Sequence, residues 1–528
     1  MIIETAISSA RNFAVWGVVA FLSIYLFINR YGGGFSRIPG PWLASFTDLW
    51  RLFVVWGRRP DATHIALHEK HGPLVRTGPR TVLVNDLDAV KKIYALNAGF
   101  VKSGFYSVQM TVAKGRRLHG MFNTTDEKFH AKLRRAVSNA YAMSTLVKFE
   151  PLVDSTTTEF LAQLERRYAN RRGEDGDCDF GTWLQFYAFD VIGELTYSTR
   201  LGFVERGGDV DHIIRDLEWL SSYIAVVGQM PFLDLLFLKN PIRMLLSKYE
   251  IGKSTSSVAI FARKHVAERL LRRAQEKYND DKPASSLEGS RDFLSRFFEA
   301  HDKDPEFITE ESVLALTVGN MFAGSDTTAI SLRAIFYHLL KNPTTMRALL
   351  QEILDKDAAG YFSRSDGLVT WDEARNMPYL SAVIKEGLRI HPAVGLALER
   401  IVPPNGIEIA GQYIPGGTNV GCSAWVIHRD ESIFGRATDC FRPERWLEAS
   451  DARRTEMNNA LFSFGAGARS CIGKNISLLE MHKLVPAVLR KFRIELVDPS
   501  AEWQLHNAWF VKQSGLRVRL SVIRNSES

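Results

Sequence analysis

The chain contains few cysteines for its length, with four in 528 residues. Cys178, Cys422, Cys440 and Cys471 form no CxxC pair and show no even spacing. This pattern indicates neither a disulfide framework nor a zinc site, and a reducing compartment is the expected one. A net charge of +7 is modest for this size, and no run combines basic and aromatic residues as nucleic-acid-binding modules do. We therefore expect no nucleic acid among the partners.

Internal repeats and an interdomain linker are also missing from the sequence. The polar stretches Arg171 to Asp177 and Lys277 to Arg291 are rich in charge, glycine and serine, and are interpreted as surface loops. Hydrophobic residues make up 46% of the chain, enough for a sizeable core. Long apolar-periodic stretches, with short strand patterns around Val82 to Val84 and Ile407 to Tyr413, predict a mainly α fold of the α+β kind. We expect one large catalytic domain.

Long hydrophobic runs are rare as well, and the clearest one covers Phe13 to Ile28. Its sixteen residues fall a little short of the ~20 that span a bilayer, so a cleaved signal peptide is an alternative. The glycine run Gly32 to Gly34 is a weak candidate cleavage site, but Arg30 intervenes between it and the hydrophobic run, and we expect an uncleaved anchor. The excess of Arg30 and Arg37 over Arg11 predicts that the following domain lies on the cytosolic side.

The most informative segment is Phe464 to Gly473, which carries Cys471 on a glycine-rich loop. The loop runs into an apolar-periodic helix predicted from Ile472 to Phe492, so the positive helix end and loop N–H groups face the sulfur. Glycine lets the backbone approach a porphyrin closely, and free N–H groups can hydrogen-bond the sulfur. A cysteine thiolate in such a loop is suited to bind haem iron. Without this context, an ordinary buried thiol would be the better interpretation.

A second segment predicts a long helix with an interrupted middle. Thr309 is a candidate N-cap, and the apolar pattern from Val313 to Leu340 corresponds to roughly 45 Å of helix. The small and polar run Ala323 to Thr328 breaks that pattern. The Thr327 hydroxyl can bond back to the Ala323 carbonyl and open the helix locally, leaving a groove for dioxygen and water. A kink lined by satisfied polar groups is the alternative.

A third segment places Glu386 and Arg389 three residues apart on a helix that begins at Pro378. The two side chains can pair, although a solvated surface pair is the alternative. The later run Phe441 to Trp446 offers Arg445 as a second cation for the same glutamate. We expect a partly buried network that fixes geometry more than it adds stability.

These segments together resemble the cytochrome P-450 family. The cysteine-loop signature of that family is matched by five residues: Phe464, Gly467, Arg469, Cys471 and Gly473. The resemblance implies a P-450 fold, helix-rich with small β-sheets and one preceding transmembrane helix. It implies that Cys471 is the axial ligand of haem b, that Arg469 binds a haem propionate and that Phe464 and Gly465 also contact the cofactor.

Further site residues follow from the same resemblance. The run Ala323 to Thr328 is similar to the oxygen-helix motif of the family, which implies that Asp326 and Thr327 form a proton relay. The run Lys128 to Arg135 is similar to the helix that reaches a propionate, with His130 in place of the frequent tryptophan. His130, Arg134 and Arg400 are thus expected at the cofactor. Glu386, Arg389 and Arg445 are expected to hold the cysteine loop in place.

The implied function is that of a microsomal haem-thiolate monooxygenase, with residues 1–30 as anchor and 31–528 as catalytic domain. NADPH electrons would arrive through cytochrome P-450 reductase, with cytochrome b5 as a further partner, at the endoplasmic reticulum membrane. The cysteine loop and Trp425 to Asp430 resemble fungal members related to pisatin demethylase, which act on specialised metabolites. Detoxification stays an alternative, and a haem-thiolate isomerase or dehydratase and a non-enzymatic haem sensor are rival classes.

The substrate is expected to be a hydrophobic small molecule. By the resemblance, Phe105 to Phe122 and Leu220 to Leu238 line its pocket. Met230 to Leu238 is apolar enough to enter the membrane beside a substrate entrance, and a core helix explains it equally well. Four basic residues are expected near the thiolate side: Lys128, Lys132, Arg135 and Lys474. They would contact an acidic electron donor, and a solvated charged face is the alternative.

Overall fold

A computed structural model describes residues 2–110, 112–113, 115–117, 119–249, 257–278 and 292–523. The α-helices are α1 (Ile2–Tyr31), α2 (Leu49–Trp56), α3 (Pro60–His71), α4 (Leu87–Ile93), α5 (Phe105–Val108), α6 (Glu127–Val137), α7 (Met143–Leu146), α8 (Glu150–Arg167), α9 (Phe180–Tyr197), α10 (Phe203–Arg206), α11 (Ile213–Val227), α12 (Pro241–Lys248), α13 (Ser257–Tyr278), α14 (Phe293–Lys303), α15 (Glu310–Lys341), α16 (Pro343–Ala358), α17 (Trp371–Arg375), α18 (Pro378–Ile390), α19 (Ala424–Ile427), α20 (Glu431–Phe434), α21 (Glu444–Glu448), α22 (Asp451–Ala460) and α23 (Lys474–Lys491).

The strands are short and belong to small sheets, as the mainly α prediction requires. They are β1 (Leu74–Gly78), β2 (Thr81–Val84), β3 (Val101–Lys102), β4 (Val112–Ala113), β5 (Arg116–Arg117), β6 (Cys178–Asp179), β7 (Arg400–Ile401), β8 (Ile407–Ile409), β9 (Gln412–Ile414), β10 (Asn419–Gly421), β11 (Phe492–Leu496), β12 (Gln504–Ala508), β13 (Phe510–Ser514) and β14 (Arg517–Val522). The largest sheet has the order β1-β2-β10-β7-β3, and a second has the order β11-β14-β6. The pairs β12-β13, β4-β5 and β8-β9 stand alone.

Helix α15 is the central element of the helical core. Thr309 caps it by accepting a hydrogen bond from the Ser312 N–H at 3.2 Å, and it ends before Pro343, which cannot continue the hydrogen-bond ladder of the preceding turn. It packs most extensively on α9, which is buried almost throughout, and also on α13, α14, α18 and α23. A helix with neighbours on so many sides buries apolar side chains around most of its circumference.

Helix α1 contains the expected hydrophobic span. The part from Arg11 to Tyr31 is long and apolar enough to cross a membrane, and none of it is buried against the rest of the protein. Its C-terminal end is attached to the following domain, because the buried Arg76 guanidinium donates to the carbonyls of Asn29 and Arg30, the latter at 3.1 Å. This helix suggests a membrane anchor.

The structure refines several sequence predictions. The stretch from Ile407 to Tyr413 is the hairpin β8-β9, because Ala410 and Gly411 adopt positive φ angles of 47° and 72° and reverse the chain. The loop from Arg171 to Asp177 contains one 3₁₀ turn, Gly173–Gly176. Of the predicted loop from Lys277 to Arg291, residues 279–291 lie outside the described residues. Met230 to Leu238 is no core helix: it forms the 3₁₀ turn Pro231–Leu235, and Phe232, Leu236 and Phe237 are exposed.

The Glu386 network is more deeply buried than expected. Glu386 and Arg389 are inaccessible to solvent and form a bidentate pair with N–O distances of 2.8 and 2.9 Å. Arg445 from α21 adds a contact of 3.0 Å to Glu386, and the Trp446 indole N–H donates to the same carboxylate at 2.9 Å. Burial alone would raise the pKa of Glu386, but Arg389 and Arg445 outweigh it and lower that pKa below its ordinary value. The network joins α18 to α21.

We predict that Glu386→Gln destabilises the protein by about 3–5 kcal/mol, because it leaves two buried guanidinium groups without an anion. Urea unfolding midpoints of the holoprotein measure this effect. The control is Glu448→Gln, which removes an exposed carboxylate that pairs with Arg442 and should change stability by about 0.5 kcal/mol or less. Equal midpoint losses in the two variants would contradict the prediction.

Candidate functional site

The loop that carries Cys471 consists of two 3₁₀ turns, Phe462–Phe464 and Gly467–Arg469, before α23 begins at Lys474. The helix therefore starts two residues later than predicted. Gly467 has φ +64°, and a Cβ atom there would lie 1.6 Å from the Tyr94 carbonyl oxygen, so this position accepts only glycine. The Cys471 N–H donates to the Phe464 carbonyl at 2.8 Å, which closes the loop behind the cysteine.

The Cys471 side chain is accessible to solvent although protein atoms surround it closely, and that burial raises the pKa of its thiol. Backbone N–H groups of Gly473 and Lys474 hydrogen-bond the sulfur and oppose this rise, as do the charges of Arg134 and Lys474. Donors and cations directed at one sulfur stabilise its thiolate form, as expected from the position of the loop before a helix.

The middle of α15 has an accessible face. Ala323 is exposed and Thr327 is half-buried, whereas most of their neighbours on the helix are buried. The Thr327 hydroxyl donates to the Ala323 carbonyl at 2.7 Å, as predicted. The predicted local opening is absent, because α15 is continuous here and a carbonyl oxygen can accept both the helical N–H and a hydroxyl. Helix α15 meets α23 nearby, where the Thr328 and Ser477 hydroxyls lie 2.9 Å apart.

Asp326 is buried and has two partners from other elements. The Gln185 amide of α9 donates to one carboxylate oxygen at 2.6 Å, and the Lys512 ammonium of β13 lies 3.0 Å from the other. Lys512 also pairs with Glu218 of α11 at 3.1 Å. Glu218 is about half exposed, so a chain of charged groups leads from Asp326 to the protein surface.

The predicted cofactor arginines cluster around His130. Arg134 donates to the Ser470 carbonyl at 2.7 Å, and Arg469 pairs with Glu127 at 2.7 Å. Burial, followed by the charges of Arg469, Arg134, Lys102 and Arg400, lowers the pKa of His130 to about 3. His130 is therefore neutral at physiological pH and provides a hydrogen-bonding group rather than a cation.

This cluster has an excess of positive charge. The charges of four side chains act together on the pKa of His130: Lys102, Arg134, Arg400 and Arg469. Of these four, only Arg469 forms an ion pair with a described residue, which is Glu127. Buried cations without counter-ions are costly, so such a cluster fits an anionic ligand. The two propionates of haem satisfy that requirement, and the sulfur of Cys471 is a suitable ligand for its iron.

A chain of hydrogen bonds links the Glu386 network to the cysteine loop. The Arg389 guanidinium donates to the His428 carbonyl at 2.9 Å, and Nδ1 of His428 lies 2.8 Å from the Arg389 carbonyl. Burial lowers the pKa of His428 to about 3, so the ring is neutral. With its proton on Nδ1, the ring can accept at Nε2, which receives the Phe462 N–H at 2.8 Å. The Ser463 hydroxyl adds a bond of 2.7 Å to the Leu388 carbonyl.

The sequence analysis did not select several residues of this site: Lys102, Glu127, Gln185, His428 and Lys512. Each lies far along the chain from its partner. His428 belongs to the segment Trp425 to Asp430, which indicated family resemblance but no role for this residue, and the other four belong to no quoted motif. A search for buried charges needs the tertiary structure, because burial is a property of packing.

The fold and the site define a class of protein: a helix-rich protein that brings a solvent-accessible cysteine sulfur and a cationic cluster to one site. The family model of cytochrome P-450 matches residues 40–517. The chain is 44% identical over 488 residues to a cytochrome P-450 monooxygenase of Aspergillus terreus, covering 92% of this chain and 96% of that protein. It is 42% identical over 500 residues to the monooxygenase cicH of Emericella nidulans, covering 94% and 96%.

The chain belongs to the cytochrome P-450 family. It is therefore a monooxygenase that uses haem b and takes electrons from NADPH through a partner reductase. When bound, haem supplies the activation of dioxygen and the insertion of one of its oxygen atoms into a small-molecule substrate, while the other atom leaves as water. The membership confirms the predicted enzyme class, fold and cofactor. The closer relation to pisatin demethylase stays a prediction.

Proposed function

We propose that this monooxygenase oxidises a hydrophobic small molecule in fungal secondary-metabolite biosynthesis, by hydroxylation, oxidative demethylation or a related reaction. The observation that carries the proposal is the Cys471 loop, whose N–H groups and nearby cations are directed at the sulfur and oppose the rise in its pKa that burial causes. The relatives are fungal monooxygenases, which supports it. Incubation of reductase-coupled microsomes with a metabolite extract tests it: products heavier by one oxygen atom are expected, and their identity separates biosynthesis from detoxification.

In this proposal Cys471 would bind the haem iron through its sulfur. Phe464 and Gly465 lie on the turn before it and would contact the macrocycle. Arg134, Arg400 and Arg469 supply charge for the propionates, and neutral His130 supplies a hydrogen bond. The network of the Glu386 carboxylate positions the loop indirectly, through Arg389 and the His428 ring.

Asp326 and Thr327 form the proposed proton relay. Asp326 receives protons from the surface through the ion-paired groups Lys512 and Glu218, whose contacts of 3.0 and 3.1 Å form a continuous polar path. Thr327 presents its hydroxyl on the accessible face of α15. An isomerase or dehydratase would require no such relay, so this polar path favours the monooxygenase.

We predict that Cys471→Ser abolishes the red-shifted Soret band of the reduced carbonyl complex and all monooxygenation, because serine cannot supply the thiolate ligand. Carbon monoxide difference spectra and product analysis measure both. Cys440→Ser is the matched control, since Cys440 is exposed and lies outside the loop. A Cys471→Ser variant that keeps the band would refute the proposed ligand.

We predict that Thr327→Ala binds haem and carbon monoxide normally but uncouples NADPH consumption from product and releases peroxide, because proton delivery is impaired. Asp326→Asn should slow turnover by a factor of about 10² or more. Thr327→Ser keeps the hydroxyl and serves as control. Wild-type coupling in Thr327→Ala would instead favour a structural role for the segment.

The proposed location is the endoplasmic reticulum membrane, with α1 as a single anchor and the catalytic domain, residues 31–528, in the cytosol. Exposed apolar side chains of Phe232, Leu236 and Phe237 offer a second, peripheral contact with the lipid. The exposed cations Lys128, Arg135 and Lys474 near the cysteine loop provide a surface for an acidic reductase or cytochrome b5.

We predict that deletion of residues 1–30 greatly weakens membrane attachment and preserves the carbonyl spectrum, because the cofactor site lies outside α1. Carbonate extraction measures attachment: the full-length chain should stay in the pellet. With engineered glycosylation sites, only one near residue 1 should be modified. Release of the full-length chain, or a mature terminus after Ile28, would show that the segment is a signal peptide.

A further inference from the structure

Arg76 on β1 is one of the most deeply buried side chains of the described residues, with 1% of the residue exposed. Within the described part of the chain its guanidinium has no carboxylate partner and donates to backbone carbonyls: Asn29 at 2.5 Å, Arg30 at 3.1 Å, Ser45 at 3.4 Å, Gly78 at 3.3 Å and Pro79 at 2.9 Å. Burial, and then the charge of Arg30, lowers the pKa of Arg76 to about 10, so the group is charged at physiological pH. A buried cation without a counter-ion depends on such acceptors, and two of them belong to α1.

The two carbonyls of α1 lie at its C-terminal end. The last four carbonyls of a helix have no partner within it, and a cation placed against them is favourable. Arg76 supplies that cation to Asn29 and Arg30. The side-chain amide of Asn29 makes a second contact, because it donates to the Phe46 carbonyl at 2.8 Å. The end of the anchor is therefore bonded both to β1 and to the segment before α2.

The segment between α1 and β1 is packed as well. The Phe35 ring is buried and its centre lies 5.2 Å from the Arg76 guanidinium carbon. The Arg76 N–H donates to the Pro39 carbonyl at 2.7 Å. A Cβ atom on Gly40 would lie 2.1 Å from the Arg76 carbonyl oxygen, so the backbone at Gly40 lies directly against β1. With these contacts the connection between anchor and domain has little freedom to bend.

An exposed apolar surface lies beside this junction. We call it the anchor-side surface, and it consists of five side chains that are each 45–66% exposed: Trp42, Leu43, Leu49, Phe53 and Trp56. The Trp42 ring lies 4.8 Å from that of Phe46, the residue whose carbonyl binds Asn29. The three members on α2 are spaced by four and three positions and share one face of the helix. The buried Arg51 and Val55 of α2 point into the protein instead.

Lipid is the occupant that fits the anchor-side surface. The Asn29 contact with Phe46 holds this surface next to the end of α1, where the anchor leaves the bilayer. Apolar and tryptophan side chains are favoured at the boundary between hydrocarbon and headgroups. Arg37, which is exposed between the anchor and this surface, suits the anionic headgroups of a cytosolic leaflet. An exposed apolar surface that continues a membrane anchor is thus placed for contact with the same membrane.

We propose that Arg76 holds the catalytic domain in a fixed orientation on α1 and thereby keeps the anchor-side surface in the lipid. The proposal rests on the proposed membrane location and not on the haem chemistry. A free tether would let the domain turn above the bilayer, whereas a fixed junction gives the domain one height and one tilt. Arg76 is thus a positioning residue for the whole domain.

The test uses the full-length holoprotein in nanodiscs of phosphatidylcholine with phosphatidylserine. Arg76→Met removes the cation of the junction. Asn29→Ala removes only the side-chain contact with Phe46 and leaves the partners of Arg76 in place, so it keeps the test decisive if Arg76→Met folds poorly. Arg333→Met is the matched control, since Arg333 is a buried arginine that donates instead to the Gly181 carbonyl of α9, at 2.7 Å.

The first measurement is the rate of tryptic cleavage of the bond after Arg30, whose carbonyl Arg76 binds. Arg76→Met should raise this rate about tenfold and Asn29→Ala about threefold, because each removes bonds that must open before a protease can bind the chain. Unchanged rates in both variants, or an equal rise in Arg333→Met, would overturn the proposal.

The second measurement is quenching of Trp56 fluorescence by brominated lipid, taken as the difference between each protein and its Trp56→Phe counterpart. The wild type should be quenched, and Arg76→Met should lose about half of that quenching as the domain turns away from the lipid. A wild-type Trp56 that is shielded from lipid, by a second copy of the chain or by another surface, would overturn the proposal, and so would quenching that Arg76→Met leaves unchanged. Neither measurement needs catalysis, so a wild type without the carbonyl band would count against the haem-thiolate function and not against Arg76.

Discussion

Charge that is buried away from water has to be paired, and this constraint organises the molecule around Cys471. Glu386 satisfies two arginines at once, and its burial is complete. Because a pair with fixed geometry leaves few alternative arrangements, α18 and α21 are held in one relative position. The neutral His428 ring connects α18 to the cysteine loop, because it bonds the Arg389 carbonyl with one ring nitrogen and accepts the Phe462 N–H with the other. The loop that carries the sulfur is therefore hydrogen-bonded to a network that the sulfur does not contact.

The cluster around His130 does not meet the same constraint, because it contains cations without carboxylate partners among the described residues. Around His130 the cations outnumber the available carboxylates, and two of the unpaired cations, Lys102 and Arg400, are buried. Such an arrangement is unfavourable without a ligand and becomes favourable when an anion binds, so binding and stability are coupled. A folded chain with this cluster is thus prepared for a cofactor that carries negative charge at its edge. Excess charge, rather than cavity shape, is the feature that identifies this part of the site.

Helix α15 has two different environments around one short segment. Its buried Asp326 is oriented by Gln185 and Lys512, whereas Thr327 on the next position faces the accessible side. Adjacent residues on a helix point about 100° apart. Asp326 can therefore contact the polar path while Thr327 faces the accessible side. A small-residue stretch in a long helix is what makes this division possible, since larger side chains at Ala323 would fill the accessible face.

The sequence by itself determined the chemistry that depends on short segments. The cysteine loop, the N-cap of α15, the Thr327 to Ala323 bond and the Glu386 to Arg389 spacing are local patterns, and each was predictable because its partners lie within a few residues. The tertiary structure alone decided which distant groups meet: Lys102 opposite Arg400, Lys512 on Asp326, and His428 beneath the cysteine loop. Hydrophobic periodicity indicates which face of an element is buried but not which element covers it, so burial depth and charge pairing between remote segments became visible only after packing.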